Sequence, residues 1–373
     1  MTMKTGISSI GLAFPPHFIS AKSLAELRNV EASKFTVGLG CKDIALCPEN
    51  YTIVEMCVEA AKRALSRWKG DLKDIGLIAV GTESAVDMSR PLSAFVAEEL
   101  HLSGQVRSYE VKHACYGGTL AVRQAVEWKM AGVAKGKAAL VIAADIALYS
   151  LGDPGEPTQG AGAVAMIIDT PDIAEIAPAS YAYSKPVFDF WRPVNEQFPI
   201  VDGAYSIECY KEAAEFCFRA LLADKKWKLP DLFTHYEALC FHVPFPKMVK
   251  KAFAEVCKAR NYDDEQIEAL YQEKLAPTME WNSLSGNSYT ASLWISVARA
   301  LKGLHTGQSI SAFSYGSGCG AELLVLTAGP KAQEGLWAKD VETDMAKRTE
   351  LTAEEYVTLR KKHNHNKPQR EHR

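Results

Sequence analysis

Short apolar runs bounded by glycine or aspartate recur along the first half of the chain, at Leu77-Ile-Ala-Val-Gly, Ala138-Ala-Leu-Val-Ile-Ala-Ala and Ala163-Val-Ala-Met-Ile-Ile. Their length and unbroken hydrophobicity predict strands covered on both faces. Between them the apolar period lengthens to that of a helix. Val54, Cys57, Val58, Ala61 and Leu65 fall on one face behind a capping box formed by Thr52 and Glu55, and the helix should end near Gly70. Leu120, Val122, Ala125, Val126 and Met130 predict a second helix over residues 119–130, buried on more than one side. The opening residues, from Thr5 to Leu12, alternate like a strand.

The second half repeats the style. It predicts a helix from about Cys209 to Leu222, a strand Ala238-Leu-Cys-Phe-His, a helix from about Lys247 to Arg260, a helix from Tyr289 to Leu301 and a strand from Ser309 to Tyr315. Two α/β halves of similar length suggest an internal duplication, divided as residues 1–180 and 181–330, with the boundary in the Pro- and aromatic-rich stretch from Tyr181 to Gly203. That stretch reads as ordered loop. After Gly329 the apolar pattern fades, so residues 331–373 read as a polar extension that frays at its end and has no assigned role. His363 and His365 in it are read as part of a solvated tail ahead of a metal site.

Composition narrows the function classes. With 373 residues, 47% of them hydrophobic, the chain can bury a large core. A net charge of -3 offers no general attraction for nucleic acid or an anionic membrane, so any basic site must be local. Nine cysteines, an odd count without a Cys-x-x-Cys pair, argue for a reducing compartment, and a cytoplasmic location is the expectation. No signal-peptide apolar stretch opens the sequence and nowhere do about 18 apolar residues stand together, so a soluble protein is expected. No His-Glu-x-x-His run, phosphate-binding Gly-x-x-x-x-Gly-Lys-Ser/Thr loop or Gly-x-Gly-x-x-Gly turn is present.

Candidate chemistry centres on Cys115, in Glu110-Val-Lys-His-Ala-Cys-Tyr-Gly-Gly-Thr-Leu, at the mouth of the helix predicted over 119–130. The amides and positive dipole end of that helix predict a thiolate with its pKa lowered towards working pH. A small cysteine at such a turn also serves packing. Four further features put polar groups at strand ends or in glycine turns. Glu83 follows the strand 77–80, where open α/β sheets place ligands, although it suits a helix cap equally well. His242 closes the strand 238–241, and Pro244 leaves its imidazole at a rim, where a structural histidine is the competing reading. Asn287 precedes a helix and would serve as its N-cap or as a catalytic amide. Ser314 and Gly316 lie in Phe-Ser-Tyr-Gly-Ser-Gly, a glycine turn or an anion-facing nest. Cysteine, histidine and asparagine together suit acyl-thioester chemistry.

The runs Gly-Thr-Glu-Ser-Ala-Val-Asp, Ala-Cys-Tyr-Gly-Gly-Thr, Gly-Glu-Pro-Thr-Gln-Gly-Ala-Gly, Phe-Asp-Phe-Trp-Arg-Pro, Val-Asp-Gly-Ala-Tyr-Ser, Phe-His-Val-Pro-Phe-Pro-Lys and Phe-Ser-Tyr-Gly-Ser-Gly, in this order between Thr5 and Thr327, resemble hydroxymethylglutaryl-CoA synthases of the thiolase superfamily. The resemblance implies an α/β fold, thiolase-like and five-layered α-β-α-β-α with two similar halves, and a homodimer. It implies condensation of acetyl-CoA with acetoacetyl-CoA and water to 3-hydroxy-3-methylglutaryl-CoA, in the mevalonate route to isoprenoids, with CoA thioesters as substrates and no metal or other cofactor. By the same resemblance Cys115 carries the acetyl group, Glu83 is the general acid/base, and His242 orients acetoacetyl-CoA and polarises its ketone. Asn287 and Ser314 would hold the acyl portion and Tyr149 would lie beside the acetyl group, with Thr158 and Ser206 at acyl-chain contacts. Glu31, Ala32, Lys247 and Lys251 match CoA-contacting positions; at Glu31 the family pattern has an aspartate. From the residues themselves, Lys247 and Lys251 share a helix face and suit phosphates, or form a solvated basic stripe. Backbone amides near Cys115 and Gly316 are candidates to stabilise an enolate oxygen.

Three rivals stay open at this point. A decarboxylating ketoacyl synthase of the same fold would not need the carboxylate base Glu83. A polyketide β-branching synthase would take its acetyl group from an acyl carrier protein with the same catalytic residues. An inactive thiolase-fold acyl-binding protein would leave Cys115 unacetylated.

Overall fold

The three apolar runs of the first half form the strands Ile75–Gly81, Ala138–Ala147 and Gly160–Asp169, the first two parallel and the last two antiparallel. These positions come from a computed structural model, which describes residues 4–365; the side chains of residues 363–365, and with them His363 and His365, lie outside the described part. Gly6–Ala13 pairs antiparallel with Gly160–Asp169 and is buried at every residue, its serines included. Its alternation does not expose one face, because the helix Ile53–Arg67 packs against it and the helix Ala338–Lys347 also reaches it. Thr52 and Glu55 form the capping box of Ile53–Arg67, and Met56, Cys57, Ala60, Ala61 and Ala64 carry its buried face.

In the second half Tyr236–Phe241 runs parallel to Ser309–Gly316, which turns back antiparallel as Gly320–Ala328. The short strand Ala174–Ile176 pairs with both Gly6–Ala13 and Gly320–Ala328, so among the described residues ten strands join into one sheet. Helices Ile53–Arg67 and Leu92–Glu99 cover the outer side of the first half, and Gly203–Lys225 and Pro246–Lys258 that of the second. Gly117–Met130 and Ser292–Leu301 lie between. Val122, Ala125 and Val126 of one and Leu293, Trp294 and Val297 of the other share a core cluster with strands of both halves. The layers follow the order α-β-α-β-α. Two helices buried from both sides explain why the apolar residues of 117–130 do not form a single stripe.

The expectation of a polar extension without a role is corrected for residues 331–362, while the fraying expected at its very end lies outside the described residues. Trp337 is buried and its indole donates to the Ala298 carbonyl at 2.9 Å. Asp340 is buried, accepts from Leu12 N at 3.1 Å and pairs with Arg67. Thr349–Glu350 pairs with His17–Ser20, and the helix Ala353–His365 sinks Tyr356 and Arg360 completely. Much of the attachment runs through polar groups, so it leaves little hydrophobic periodicity to read.

Candidate active site

The strand Arg107–Val111 runs parallel to Ile75–Gly81, and both end at the same edge of the molecule. From the first the chain passes through Ala114, at a φ of 43°, to Cys115 and then into the helix Gly117–Met130. Two residues beyond the second lies Glu83. The Cys115 Sγ donates to Glu83 Oε1 at 3.3 Å. All nine cysteines are free thiols, and Cys115 alone is not fully buried. At Gly316 an added Cβ would stand 2.5 Å from the His113 carbonyl oxygen and 2.6 Å from Tyr116 N, so the absent side chain lets the hairpin backbone press against the cysteine turn.

The predicted depression of the thiol pKa is not found. Burial raises Cys115 well above the ordinary thiol range, and the carboxylates of Glu83 and Asp145 raise it further. Loss of water and two nearby negative charges outweigh the end of a helix that starts two residues later. Cys115 therefore rests as a thiol, and the ionised form of Glu83 is the proton acceptor at hand. Glu83 is itself pushed up to about 8, by burial first and then by Asp145, which brings a carboxylate into the range of a base working near neutrality.

Sequence reasoning does not single out Asp145, yet it organises this corner. It is fully buried at the end of Ala138–Ala147. One carboxylate oxygen accepts from Thr82 Oγ1 at 3.0 Å, Glu83 N at 2.7 Å and Ser84 Oγ at 2.8 Å; the other accepts from Thr290 N at 3.0 Å and Thr290 Oγ1 at 2.6 Å. Five donors compensate its burial and fix the Glu83 loop against Thr290. The signal in the sequence is an acid at the end of an apolar strand, Ala-Ala-Asp-Ile-Ala. Asp189 does similar work elsewhere: it accepts from Gly318 N at 2.9 Å, Tyr315 Oη at 2.7 Å and Ser206 Oγ at 3.2 Å. It thereby ties the loop before Phe190 to the glycine hairpin. Arg192, just after the strand Phe190–Trp191, donates to the Glu83 carbonyl. These two lie in the Phe-Asp-Phe-Trp-Arg-Pro run, which stands out in the sequence as a motif but assigns a role to neither residue. A cavity of about 1000 Å³ opens here, lined by Glu83, Ala114, Phe190, Trp191 and Arg192 among others.

His242 follows the strand Tyr236–Phe241, and Ser314 lies near the end of its parallel neighbour Ser309–Gly316. Phe241 pairs with Phe313, and His242 N donates to the Phe313 carbonyl at 2.8 Å, so both residues lie at the same carboxyl edge. The Tyr210 hydroxyl anchors the His242 carbonyl at 2.6 Å. Burial lowers the imidazole to about 3, so it is neutral near pH 7 and carries one N–H donor. Among the described residues, His242 Nδ1 and Ser314 Oγ are buried without a hydrogen-bond partner. Orphaned polar atoms of this kind are costly unless a ligand completes them. His242→Ala should accordingly weaken a carbonyl-bearing ligand at this strand edge about tenfold, the scale of one well-placed hydrogen bond; unchanged affinity in a direct titration would remove His242 from the site.

Asn287 is buried. Its carbonyl oxygen accepts from Tyr289 N at 2.9 Å, leaving the NH₂ end for a ligand, and its backbone N donates to the Thr158 carbonyl at 3.0 Å. The helix expected from Tyr289 begins as a 3-10 turn, Tyr289–Ala291, and becomes α-helical at Ser292. Tyr149 is buried and kept protonated chiefly by burial, with Cys115 and Glu83 near enough to add to the shift. Its ring packs on Gly155, where a Cβ would stand 2.6 Å from it. Thr158 Oγ1 donates to the Gly155 carbonyl at 2.8 Å. Of the predicted site residues Glu83 lines the cavity described above, and the four remaining positions do not. Glu31 and Ala32 open the helix Ala32–Thr36, and Leu39 just beyond it accepts from Lys247 N at 3.0 Å. Lys247 and Lys251 are exposed, whereas Lys250 pairs with Glu268.

Family models described as hydroxymethylglutaryl-coenzyme A synthase N terminal and C terminal match residues 1–173 and, in two overlapping stretches, 179–269 and 265–372. The hydroxymethylglutaryl-CoA synthase of Enterococcus faecalis is 36% identical over 364 residues, covering 96% of this chain and 91% of that protein; that of Haloferax volcanii is 34% identical over 397 residues, covering 92% and 88%. Among solved structures, MvaS in complex with 3-hydroxy-3-methylglutaryl coenzyme A superposes with a TM-score of 0.89 at 36% identity, covering 96% of this chain and 92% of that one. The HMG synthase of the curacin biosynthetic pathway, in complex with an acetyl donor carrier protein, gives a TM-score of 0.89 at 28% identity over 97% and 89%.

Proposed function

The chain belongs to the hydroxymethylglutaryl-CoA synthase family, and on that basis we infer that Cys115 carries the acetyl group of a condensation completed by Glu83. The enzyme joins acetyl-CoA to acetoacetyl-CoA, with water, to give 3-hydroxy-3-methylglutaryl-CoA and CoA. The observation that carries the assignment of residues is the 3.3 Å contact between Cys115 Sγ and Glu83 Oε1.

In the first step the sulfur attacks the acetyl carbonyl, the thiol proton passes to Glu83, and CoA leaves with a proton. The acetyl methyl is a weak carbon acid, so it yields its proton only to a positioned base while donors hold the enolate oxygen. Glu83 is that base, and backbone amides near Cys115 and Gly316 are the donors. The resulting carbanion equivalent attacks the ketone of acetoacetyl-CoA. The neutral imidazole of His242, with Asn287 and Ser314, holds that ketone through the growing negative charge on its oxygen, and the alkoxide then takes up the proton that Glu83 removed from the methyl group. Water then cleaves the Cys115 thioester. Bonds and electrons balance with thioesters and water alone.

Free CoA as carrier fits the exposed Lys247 and Lys251, which share a face four residues apart beside Glu31 and Ala32. A carrier-protein donor is the second reading, favoured by the likeness to the curacin pathway enzyme. A homodimer belongs to the same proposal: Arg107–Val111 ends the sheet with a partly exposed edge that a second copy would extend. So do a cytoplasmic location and a place in the mevalonate pathway. Among the described residues no helix is long and apolar enough to cross a membrane.

Mass spectrometry after mixing with acetyl-CoA should show one acetyl group on Cys115, discharged as hydroxymethylglutaryl-CoA when acetoacetyl-CoA is added. A folded protein that stays unmodified would overturn the assignment in favour of an inactive acyl-binding protein. Lys247→Ala with Lys251→Ala should weaken both CoA substrates, and added salt should mimic the defect. A preference of about tenfold or more, some 1.4 kcal/mol, for acetylated carrier protein over acetyl-CoA at equal concentration would shift the enzyme to polyketide branching.

A further inference from the structure

Tyr356 and Arg360 stand four residues apart on the helix Ala353–His365, on one face, and both are fully buried. They grip the two ends of the segment 149–159. Arg360 Nη2 donates to the carbonyl of Tyr149. The Tyr356 hydroxyl donates to Glu156 Oε1 at 2.7 Å and accepts from Gln159 Nε2 at 2.6 Å. Glu156 is clamped from the other side by Arg28, at 2.7 and 2.6 Å, and accepts from Gly152 N at 3.0 Å. Between these anchors lie the ring of Tyr149, close enough to Cys115 and Glu83 to feel their charges, and Thr158, whose carbonyl receives Asn287 N.

Arg360 is poorly provided for as a structural residue. Its guanidinium has no solvent exposure, and among the described residues Nε and Nη1 find no hydrogen-bond partner and no carboxylate forms an ion pair with it. Glu156 is already paired with Arg28. A buried cation with one carbonyl as its hydrogen-bond partner, and Glu156 attracting it without an ion-pair contact, is a poor contributor to stability, and an apolar side chain of similar length would serve the fold as well or better. What the guanidinium does achieve is to fix the main chain where Tyr149 leaves the strand Ala138–Ala147.

We propose that the C-terminal helix is a latch for the acetyl site, with Arg360 and Tyr356 as positioning residues that hold Tyr149 against the Cys115 thioester. The proposal rests on the reading of Cys115 as the acetyl carrier. It predicts a separation of stability from catalysis that a packing role would not give.

The test uses the full chain and two measurements, thermal melting and the single-turnover rate of Cys115 acetylation by acetyl-CoA. Arg360→Met should melt at or above the wild-type temperature, yet acetylate roughly 10- to 100-fold more slowly, the cost of a misplaced active-site group. KM for acetoacetyl-CoA should stay unchanged, and Arg360→Lys should recover part of the rate. Tyr356→Phe, which removes only a hydroxyl, should slow the same step less, and it carries the test if Arg360→Met does not fold. Wild-type rates in Arg360→Met or, failing that protein, in Tyr356→Phe would overturn the latch. So would a loss of rate that merely follows a fall in melting temperature, with Arg360→Lys no better than Arg360→Met. If the wild-type protein itself takes no acetyl group on Cys115, the underlying assignment fails and not the latch.

Discussion

Cys115→Ser should leave no acetyl-enzyme and lower turnover on the order of 10⁶-fold, the scale seen when a nucleophile is removed. The thiol of Cys115 already needs help to ionise, because burial and the charges of Glu83 and Asp145 hold its proton. A serine hydroxyl starts several pKa units higher in the same surroundings, beyond the reach of a carboxylate base pushed up to only about 8. Intact-protein mass spectrometry with acetyl-CoA checks the result. An acetyl increment on the serine variant, at a different residue, would mean that the nucleophile lies elsewhere.

Glu83→Gln should trap the reaction at the acetyl-enzyme. Condensation should fall about 10²- to 10⁴-fold, the usual cost of losing a general base. Acetylation should persist at a lower rate, because two effects oppose each other: the proton acceptor is lost, but so is the neighbouring charge that keeps Cys115 protonated. The pH dependence follows from the raised pKa. Below about 8 Glu83 gains a proton and can no longer accept one, so wild-type condensation should rise with pH through that region. The glutamine variant should lack this limb. A variant that condenses at the wild-type rate with the same pH profile would show that another group removes the methyl proton; one that folds but never acetylates would overturn the assignment of Glu83 as the carbon base and tie it to the first step.

Much of the scaffold is local chemistry and can be read along the chain. The runs at residues 77–80, 138–144 and 163–168 are too short and too uniformly apolar for a helix, and they become central strands. Thr52 and Glu55 satisfy the first amides of a helix by themselves, so four residues are enough to mark that start. Cys115 and Glu83 stand out because a thiol at a helix mouth and an acid at a strand end are chemically conspicuous wherever they occur.

Other features depend on what arrives from far along the chain. With only its own helix in view, Cys115 is a residue for a depressed pKa. The reversal comes from Glu83 and Asp145, brought to it by parallel pairing of Ile75–Gly81 with both Arg107–Val111 and Ala138–Ala147. Coulomb energy and desolvation depend on distance in space, and no spacing in sequence encodes them. Asp145, Asp189 and Arg360 share that character. Each is a polar residue whose role is defined by partners many residues away, at Thr290, at Tyr315 and at Tyr149. Local pattern and motif were therefore enough for the central strands and several helices, for singling out Cys115 and Glu83, and for the family. Which charges face one another, how the thiol is activated and why a polar C-terminal helix is buried emerge only when distant segments pack, because those properties belong to distances that folding creates.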